Sequence, residues 1–479
     1  MGAGLSGVAM GMQLRRAGID DFVIYERQPD VGGTWYRNTY PGLHCDVPSH
    51  LYSYSFEPNP DWSMVFSGQG EIQAYIRACA EKYDLIQQTR FATTVDAARY
   101  DADRGAWHVE ISGGDTSQHR VLVSATGGLT GPRFPRIEGL RDFGGPLWHS
   151  GAWRDDVDLT GTHVAVVGSA ASAVQVVPAV ADRAARVTVF SRTPNWVMPR
   201  YNRHYTPDEQ DRFRTDERAV QAVRRQQYRM SLLWYQAFQK KPSAIEKLRR
   251  AGLSNMRKSI DDPALIEALT PDYEPGCKRI LVSDDYYPAL AKDHVQLVPQ
   301  GVSALTPDSV VAVDGSTTKV DVVIFCTGYR LGGRDDGSPA VEVYGRDGRR
   351  LAEVMARRAA AYRGIAIPGF PNYFTVCGVN GVVSYTSLFA SAELETELIA
   401  SLASRLIGED LTSIEARPDI TLDYTDTVQA ELADMSWTGN CTNFYRDREG
   451  RVVSFFPGTL GRMRRELRNL DDAELSIER

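Results

Sequence analysis

The hydrophobic pattern of the chain alternates between short apolar runs and longer stretches with helical spacing. A glycine-rich turn at residues 2–7 opens the chain, and the residues after it have helical spacing through Arg16. Gly18 then serves as a helix stop, and residues 22–26 form an apolar run of strand length. This order predicts most of a βαβ unit.

A second unit of the same kind begins near residue 163. An apolar run rich in valine leads into a turn at Gly168, a helix is predicted through Asp182, and a strand is predicted over residues 187–191. Two such units predict an α/β fold with two Rossmann-like dinucleotide-binding domains.

The pattern changes between residues 207 and 269, where arginine, glutamine, glutamate and long apolar residues recur at helical spacing. We interpret this stretch as a helical insertion in the second domain. Three further strands are predicted after it, at residues 295–298, 310–313 and 320–327.

The composition is typical of a globular enzyme. The 479 residues are 43% hydrophobic and 24% charged, with a net charge of −7. Because no basic run is long enough for a positive stripe, we expect neither nucleic acid nor a membrane as a partner. Residues 164–181 and 369–391 lack charge, but their Gly, Pro and polar residues argue against membrane spans. With no signal sequence visible, a cytoplasmic location is expected.

The six cysteines are scattered along the chain, without a C-x-x-C pair and without a histidine at metal-ligand spacing. We therefore expect reduced, mostly structural thiols and no metal site. The same absence argues against a flavin disulfide reductase, which requires a redox-active cysteine pair.

The first glycine turn has the G-x-G-x-x-G spacing at Gly2, Gly4 and Gly7. The first glycine makes the tight turn, the second admits a pyrophosphate and the third allows close packing of helix and strand. Glu26 follows at the distance where an acid meets a ribose hydroxyl. A carboxylate there suits FAD or NAD and repels a 2′-phosphate.

The strand that this fingerprint requires before its first glycine is missing, since only Met1 precedes Gly2. That strand would lie centrally in a parallel sheet, and its loss would expose neighbouring edges. We therefore expect the true start of the protein to lie upstream of the recorded one.

The second glycine turn spans residues 168–173, and Ala170 replaces its middle glycine. After the next strand, where the first unit has Glu26, this unit has Arg192 and Thr193. An arginine there can pair with a 2′-phosphate, which favours NADP over NAD. The turn residues expected to contact the cofactor are Gly168, Ser172 and Ala173.

A specific signature lies between the two units. Its fixed positions are Phe143, Gly145, His149 and Trp153. With this spacing the chain resembles the type I Baeyer–Villiger monooxygenases, a class B flavoprotein monooxygenase family, although Arg154 stands where the family has Pro or Asp. Related N-oxygenating enzymes carry Tyr or Phe in place of Trp153, so the tryptophan favours carbonyl oxygenation.

Other segments also resemble the family. The resemblance implies that residues 32–46 run along the flavin and end at the active-site Asp46, and that Lys278 and Arg279 supply an NADP contact and the active-site arginine. It implies a substrate-loop role for Trp437. The remaining implied cofactor contacts are Gly33, Thr34, Trp35, Thr126, Thr327, Gly328 and Asn380.

The resemblance implies FAD, NADPH and dioxygen as reactants, and conversion of a ketone to an ester or lactone through a C4a-peroxyflavin. Arg279 would stabilise the negative charge of the oxygen transfer, since a fixed cation contributes about 3 to 4 kcal/mol in comparable sites. Asp46 would orient the guanidinium. We expect His149 to hydrogen-bond the interdomain linker.

The implied domains are an FAD-binding domain in two parts, a linker with the signature and an NADP-binding domain between them. Their bounds are 1–142 and 329–479, 143–160, and 161–328.

Two alternatives stay open. An N- or S-oxygenating flavin monooxygenase shares both nucleotide sites but does not require the arginine. A non-catalytic remnant is motivated by the missing strand and by Ala170. The identity of the ketone and the oligomeric state are not indicated.

Overall fold

The computed structural model describes residues 1–331 and 340–479. Its α-helices there are α1 (Leu5–Arg16), α2 (Thr34–Arg37), α3 (Gln69–Lys82), α4 (Ala171–Ala181), α5 (Pro207–Thr215), α6 (Glu217–Phe238), α7 (Pro242–Arg257), α8 (Pro263–Leu269), α9 (Tyr286–Leu290), α10 (Leu351–Arg357), α11 (Leu388–Gly408), α12 (Pro418–Ala433) and α13 (Leu460–Arg468).

The strands in the described ranges are mostly short. They are β1 (Ile24–Tyr25), β2 (Thr89–Arg90), β3 (Val95–Asp101), β4 (Ala106–Ile111), β5 (Thr116–His119), β6 (Leu122–Ser124), β7 (Leu129–Pro132), β8 (Leu147–His149), β9 (His163–Val167), β10 (Arg186–Phe190), β11 (Val197–Met198), β12 (Leu281–Val282), β13 (Val295–Val298), β14 (Val302–Leu305), β15 (Ser309–Ala312), β16 (Thr317–Lys319), β17 (Val322–Phe325), β18 (Tyr329–Leu331), β19 (Glu342–Tyr344), β20 (Tyr373–Thr375), β21 (Val382–Val383), β22 (Ser413–Ala416), β23 (Phe455–Phe456) and β24 (Leu475–Glu478).

The second predicted unit forms a five-stranded parallel sheet in the order β13-β10-β9-β17-β8. Its middle strand β9 is a nearly continuous buried apolar run, as expected for a parallel strand covered on both faces. The strand predicted at 310–313 is present as β15, but it belongs to a separate antiparallel sheet with β14 and β16. The predicted linker supplies β8, the edge strand beside β17.

The first unit is built around the backbone of Met1 and Gly2. The amide of Gly2 donates to the carbonyl of Tyr25 at 2.8 Å, and the Met1 carbonyl accepts from the Ala125 amide at 2.9 Å. The Met1 nitrogen donates to the carbonyl of Val123 at 2.8 Å. The chain start therefore lies between the strands β1 and β6.

The residues predicted as helical between 207 and 269 form α5 to α8, and their place as an insertion in the second domain stays a prediction. Three of these helices begin with proline in the first turn, where the missing amide hydrogen costs nothing. The side chain of Arg224, in α6, donates to the carbonyl of His50 and to Ser53 Oγ, which ties the insertion to the first unit.

Both charge-free stretches fold as mixed structure. Residues 164–181 contain most of β9, the glycine turn and α4, while residues 369–391 contain β20, β21 and the start of α11. Among the described helices, none combines the length and the apolar character that crossing a bilayer requires.

Candidate functional site

The first glycine turn packs so tightly that side chains are excluded. Gly2 has φ +93°, and a Cβ at Gly7 would lie 1.8 Å from the carbonyl oxygen of Gly2. A Cβ at Gly33, which also has positive φ, would lie 2.9 Å from Cα of Gly4. The turn and the segment that begins at Gly33 thus form a side-chain-free cradle, as close approach of a pyrophosphate requires.

The electrostatics of this cradle suit an anion. Helix α1 starts from Gly4 with no side-chain cap and no acidic residue in its first turn, so its leading amides are available to a phosphate. Glu26 is buried, and its carboxylate accepts from the amides of Ala3 at 2.6 Å and Gln28 at 2.8 Å. These residues fit the pyrophosphate and ribose of FAD.

Residues 32–46 run from this cradle to the second unit. Thr34 begins α2, and Trp35 is buried and donates from Nε1 to the Tyr52 hydroxyl at 3.0 Å. Further along, the carbonyl of His44 accepts from Gln175 of α4 at 2.8 Å. The segment is therefore fixed at both ends.

The second glycine turn repeats the steric logic of the first. Gly168 has φ +136°, and a Cβ there would lie 2.3 Å from the carbonyl oxygen of Cys326. Helix α4 has Ala170 at its N-cap without a side-chain hydrogen bond and no acid in its first turn, again leaving amides for a phosphate. Ser172 lies in this first turn, whereas Ala173 is fully buried in the core.

Two cations lie near each other beyond this turn. Burial, and to a lesser extent the charge of Arg192, lower the pKa of Lys278. The Lys278 ammonium also lies 4.6 Å from the centroid of the Tyr273 ring. The carbonyl of Thr193, next to Arg192, accepts from Ser169 Oγ at 2.7 Å and so fixes the strand end to the turn. Like charges held together in this way suit a dianion such as a 2′-phosphate.

An ion pair joins the predicted FAD-binding and NADP-binding domains. Arg279 donates from Nε to Asp46 Oδ2 at 2.8 Å and from Nη2 to the same oxygen at 2.5 Å. The carboxylate of Asp46 raises the pKa of Arg279 further above its usual value. The arginine side chain is 48% exposed, so its remaining donors stay accessible.

Two turns at strand ends carry Thr126, Thr327 and Gly328, and each turn packs against neighbouring backbone. Thr126 follows β6 and lies beside Gly2. Thr327 Oγ1 donates to the carbonyl of Arg133 at 2.5 Å, and the carbonyl of Gly328 accepts from the Arg133 amide at 2.9 Å. These bonds join the end of β17 to the strand β7.

The signature residues lie at the edge of the second sheet. A Cβ at Gly145 would lie 2.2 Å from the carbonyl oxygen of Asp321. Phe143 packs against the hydrophobic cluster that contains Val323 and Phe325 of β17. The ring of Trp153 meets Trp148 edge-on at 5.5 Å. Each residue has a packing role here.

His149 ends β8 and is fully buried. Its Nδ1 accepts from the Gly151 amide at 3.0 Å, and its ring lies 5.3 Å from that of Tyr329. The Tyr329 hydroxyl in turn donates to Asn38 of the first unit at 2.6 Å. His149 is thus one contact away from the other unit, but control of domain motion stays a prediction.

Two implied residues have structural partners. Asn380 has φ +55°, and its side-chain amide donates to the carbonyls of Val452 at 2.9 Å and Phe455 at 2.8 Å. Trp437 is 1% exposed and packs between Phe238 and Phe455. The structure therefore shows a packing role for the indole, and its substrate role stays a prediction.

The expectation of six reduced thiols is wrong. Cys277 and Cys441 form a disulfide across 164 positions, and the other four cysteines are free. No local motif joins two cysteines so far apart, so sequence spacing could not reveal the pair. Among the described residues, no cluster of three potential metal ligands exists.

Tyr445 is a further residue that sequence analysis missed. It is 2% exposed, and burial raises the pKa of its hydroxyl. The charges of Arg279 and Asp46 act on that pKa in opposite directions.

Comparisons with known proteins agree on one family. The flavin-binding monooxygenase-like family model matches residues 1–332. A Baeyer–Villiger monooxygenase from Streptomyces coelicolor is 41% identical over 100% of this chain and 92% of its own length. A Baeyer–Villiger monooxygenase from Pseudomonas aeruginosa is 36% identical over 98% of this chain and 89% of its own.

Solved structures match the whole described architecture. Cyclohexanone monooxygenase from Rhodococcus sp. Phi1 bound to NADP+ has a TM-score of 0.89 at 25% identity, covering 100% of this chain and 98% of that one. An oxidized steroid monooxygenase bound to NADP has a TM-score of 0.86 at 27% identity, with the same coverage. The predicted two-Rossmann α/β fold is confirmed.

Proposed function

Because this chain belongs to the flavin-binding monooxygenase-like family, and within it to the Baeyer–Villiger monooxygenases, we propose that Arg279 and Asp46 are its catalytic pair in converting a ketone to an ester or lactone. The protein is a flavin monooxygenase that uses FAD and NADPH, with dioxygen as the co-substrate. When bound, NADPH would supply a hydride and FAD would supply the means to activate dioxygen.

The chain provides a separate seat for each cofactor. The cradle of Gly2, Gly4, Gly7 and Gly33 with Glu26 would hold FAD. The turn at Gly168, with Ser172 in the first turn of α4, would hold the NADPH pyrophosphate. These seats support assigning 1–142 to FAD and 161–328 to NADPH, and we assign 329–479 to the FAD-binding domain as well. The strand β8 of the 143–160 linker is joined to the NADPH sheet.

Arg192 and Lys278 would select NADPH over NADH. The charge of Arg192 acts on Lys278, and the 2′-phosphate that distinguishes NADPH is a dianion that two cations can bind. Thr193 would keep the strand end in place through its carbonyl.

The observation that carries the catalytic proposal is the ion pair that joins Arg279 to Asp46, the last residue of the segment 32–46. Oxygen transfer to a carbonyl develops negative charge, and a preorganised cation stabilises that charge in the transition state. Arg279 stays protonated at every working pH. Asp46 accepts from only two of the five N–H donors of the Arg279 guanidinium. The remaining donors are left for substrate oxygen.

The test is a panel of linear, cyclic and aromatic ketones and one thioether, incubated with NADPH and scored by product mass. Ketones should gain one oxygen as esters or lactones. In Arg279→Ala we expect this product to fall by about 100-fold or more while the flavin stays bound. Arg250→Ala, an exposed arginine on α7, is the matched control and should be unaffected.

Unchanged ketone oxidation in Arg279→Ala would overturn the catalytic pair. Oxidation of the thioether with no ester from any ketone would favour the N- or S-oxygenating alternative. A purified protein without bound flavin would favour the non-catalytic one.

A further inference from the structure

The disulfide between Cys277 and Cys441 ties the active-site arginine segment to a distant part of the chain. Its two Cα atoms lie 6.2 Å apart. Cys277 is 2% exposed, and Lys278 and Arg279 follow it directly. The disulfide therefore lies within two residues of Lys278, the proposed NADPH contact, and of Arg279, the proposed catalytic arginine.

The tethered segment is residues 436–446, here called the C-terminal loop. Apart from the disulfide, two side chains of this loop bind the arginine segment. Ser436 Oγ donates to the carbonyl of Gly276 at 3.0 Å, and Asn443 Nδ2 donates to the carbonyl of Cys277 at 3.0 Å. Neutral hydrogen bonds of this kind are individually weak, so the disulfide is the strongest link between the two segments.

The loop also carries Tyr445, on whose hydroxyl the charge of Arg279 acts. Asn443 Oδ1 accepts from the Tyr445 amide at 3.1 Å, so the residue that holds Cys277 also positions Tyr445. The Tyr445 ring is buried against Phe455 at 4.5 Å, and its hydroxyl lies in the field of Arg279. Movement of the loop would therefore alter the surroundings of the ion pair.

We propose that Cys277 and Cys441 are positioning residues whose thiol–disulfide state sets how firmly Lys278 and Arg279 are held. This inference rests on the proposed roles of those two cations. A dithiol reductant gives two electrons and two protons to the Cys277–Cys441 bond, which yields two thiols while the reductant becomes a disulfide. Hydrogen peroxide reverses the change: it oxidises the two thiols to the disulfide and is reduced to two water molecules.

Reduction should weaken NADPH binding selectively. Lys278 would lose part of its fixed position, and the contact that suffers is the one to the 2′-phosphate, which NADH lacks. We expect the Kd for NADP+ to rise by about tenfold, as for the loss of one charge-assisted contact. The KM for NADH should stay within about twofold, and the ester formed per NADPH should fall because Arg279 is less well oriented.

The experiment uses the holoenzyme before and after treatment with dithiothreitol. Thiol alkylation of the denatured protein, counted by mass spectrometry, should give four modified cysteines before treatment and six after. NADP+ binding is measured by calorimetry, and NADPH and NADH are then compared kinetically. The wild-type chain alone suffices for this comparison, so no variant has to fold.

Two variants sharpen the test. Cys441→Ser should behave without treatment like the reduced wild type and should not respond to dithiothreitol. Cys79→Ser removes a free buried thiol on α3 and should respond as the wild type does.

Six alkylated cysteines in the untreated protein would overturn the inference, because no disulfide would then exist. So would a disulfide whose reduction changes neither NADP+ affinity nor product yield, or raises the KM for NADPH and NADH equally, since both results indicate a merely structural bond. In these cases ester formation still supports the proposed function. Absence of ester in both thiol states would instead remove that function.

Discussion

Arg279 and Asp46 are 233 positions apart in the chain, yet two nitrogens of the guanidinium donate to a single carboxylate oxygen of Asp46. The aspartate ends a segment fixed to α4 through the carbonyl of His44, and the arginine follows a disulfide-bonded cysteine. Both partners are thus held by their own segments, which makes the pair preorganised.

Asp46→Asn should lower ester formation by about 10-fold to 100-fold, because the amide leaves the guanidinium without its charged partner. The rate of NADPH oxidation should fall less, with the missing product recovered as hydrogen peroxide. Product and peroxide are measured per NADPH consumed. Asp61→Asn, in the surface pair with Arg214, is the matched control. If both variants formed the same amount of ester per NADPH consumed, Asp46 would have no orienting role.

Arg192→Ala should raise the KM for NADPH by about 10-fold to 100-fold and leave the KM for NADH nearly unchanged, because only NADPH carries the 2′-phosphate. The ratio of the two kcat/KM values is the measurement. Arg183→Ala, an exposed arginine just after α4, should keep the wild-type ratio. A parallel rise in both KM values would mean that Arg192 contributes to folding of the site instead of to selection.

The sequence predicted those elements whose structure depends mainly on neighbouring residues in the chain. The apolar run of β9 and the turn at Gly168 were identified because a buried parallel strand needs continuous apolar residues and the turn needs a positive φ. The helical insertion was identified from its helical spacing. The ion pair of Arg279 and Asp46 followed only from family resemblance, since nothing local relates the two residues.

Long-range contacts escaped prediction. The disulfide depends on two cysteines 164 positions apart, and the core position of Trp437 depends on Phe238 and Phe455 from other segments. The strand predicted at 310–313 was correct as an element, but its antiparallel partners could not be inferred from its own residues.

Gly7→Ala should abolish FAD binding or folding, because the new Cβ would lie 1.8 Å from the backbone oxygen of Gly2 and neither can move without opening the turn. Flavin content per protein, from absorbance of the purified variant, is the measurement. Gly70→Ala is the matched control: this glycine lies in α3 with open space around it, so flavin content should not change. Full flavin occupancy in Gly7→Ala would disprove the cradle.

Acid stability should depend on His50, which is 1% exposed between Tyr205 and Phe213. Burial, and secondarily the charge of Arg224, lower its pKa from 6.5 to about 4. Since the unfolded chain binds the proton more tightly, the contribution of neutral His50 is present above pH 6.5 and is lost as pH falls toward 4. The loss reaches up to about 3 kcal/mol.

The variant His50→Phe keeps an aromatic ring at this position and cannot titrate. Its urea midpoint relative to the wild type should therefore rise steadily as pH falls from 7 to 4.5, because carboxylates titrate equally in both proteins and cancel in the difference. Val220→Ala, in the same core but without a titrating group, should differ from the wild type by a constant amount. If the His50→Phe difference were also constant, protonation of His50 would not be coupled to unfolding.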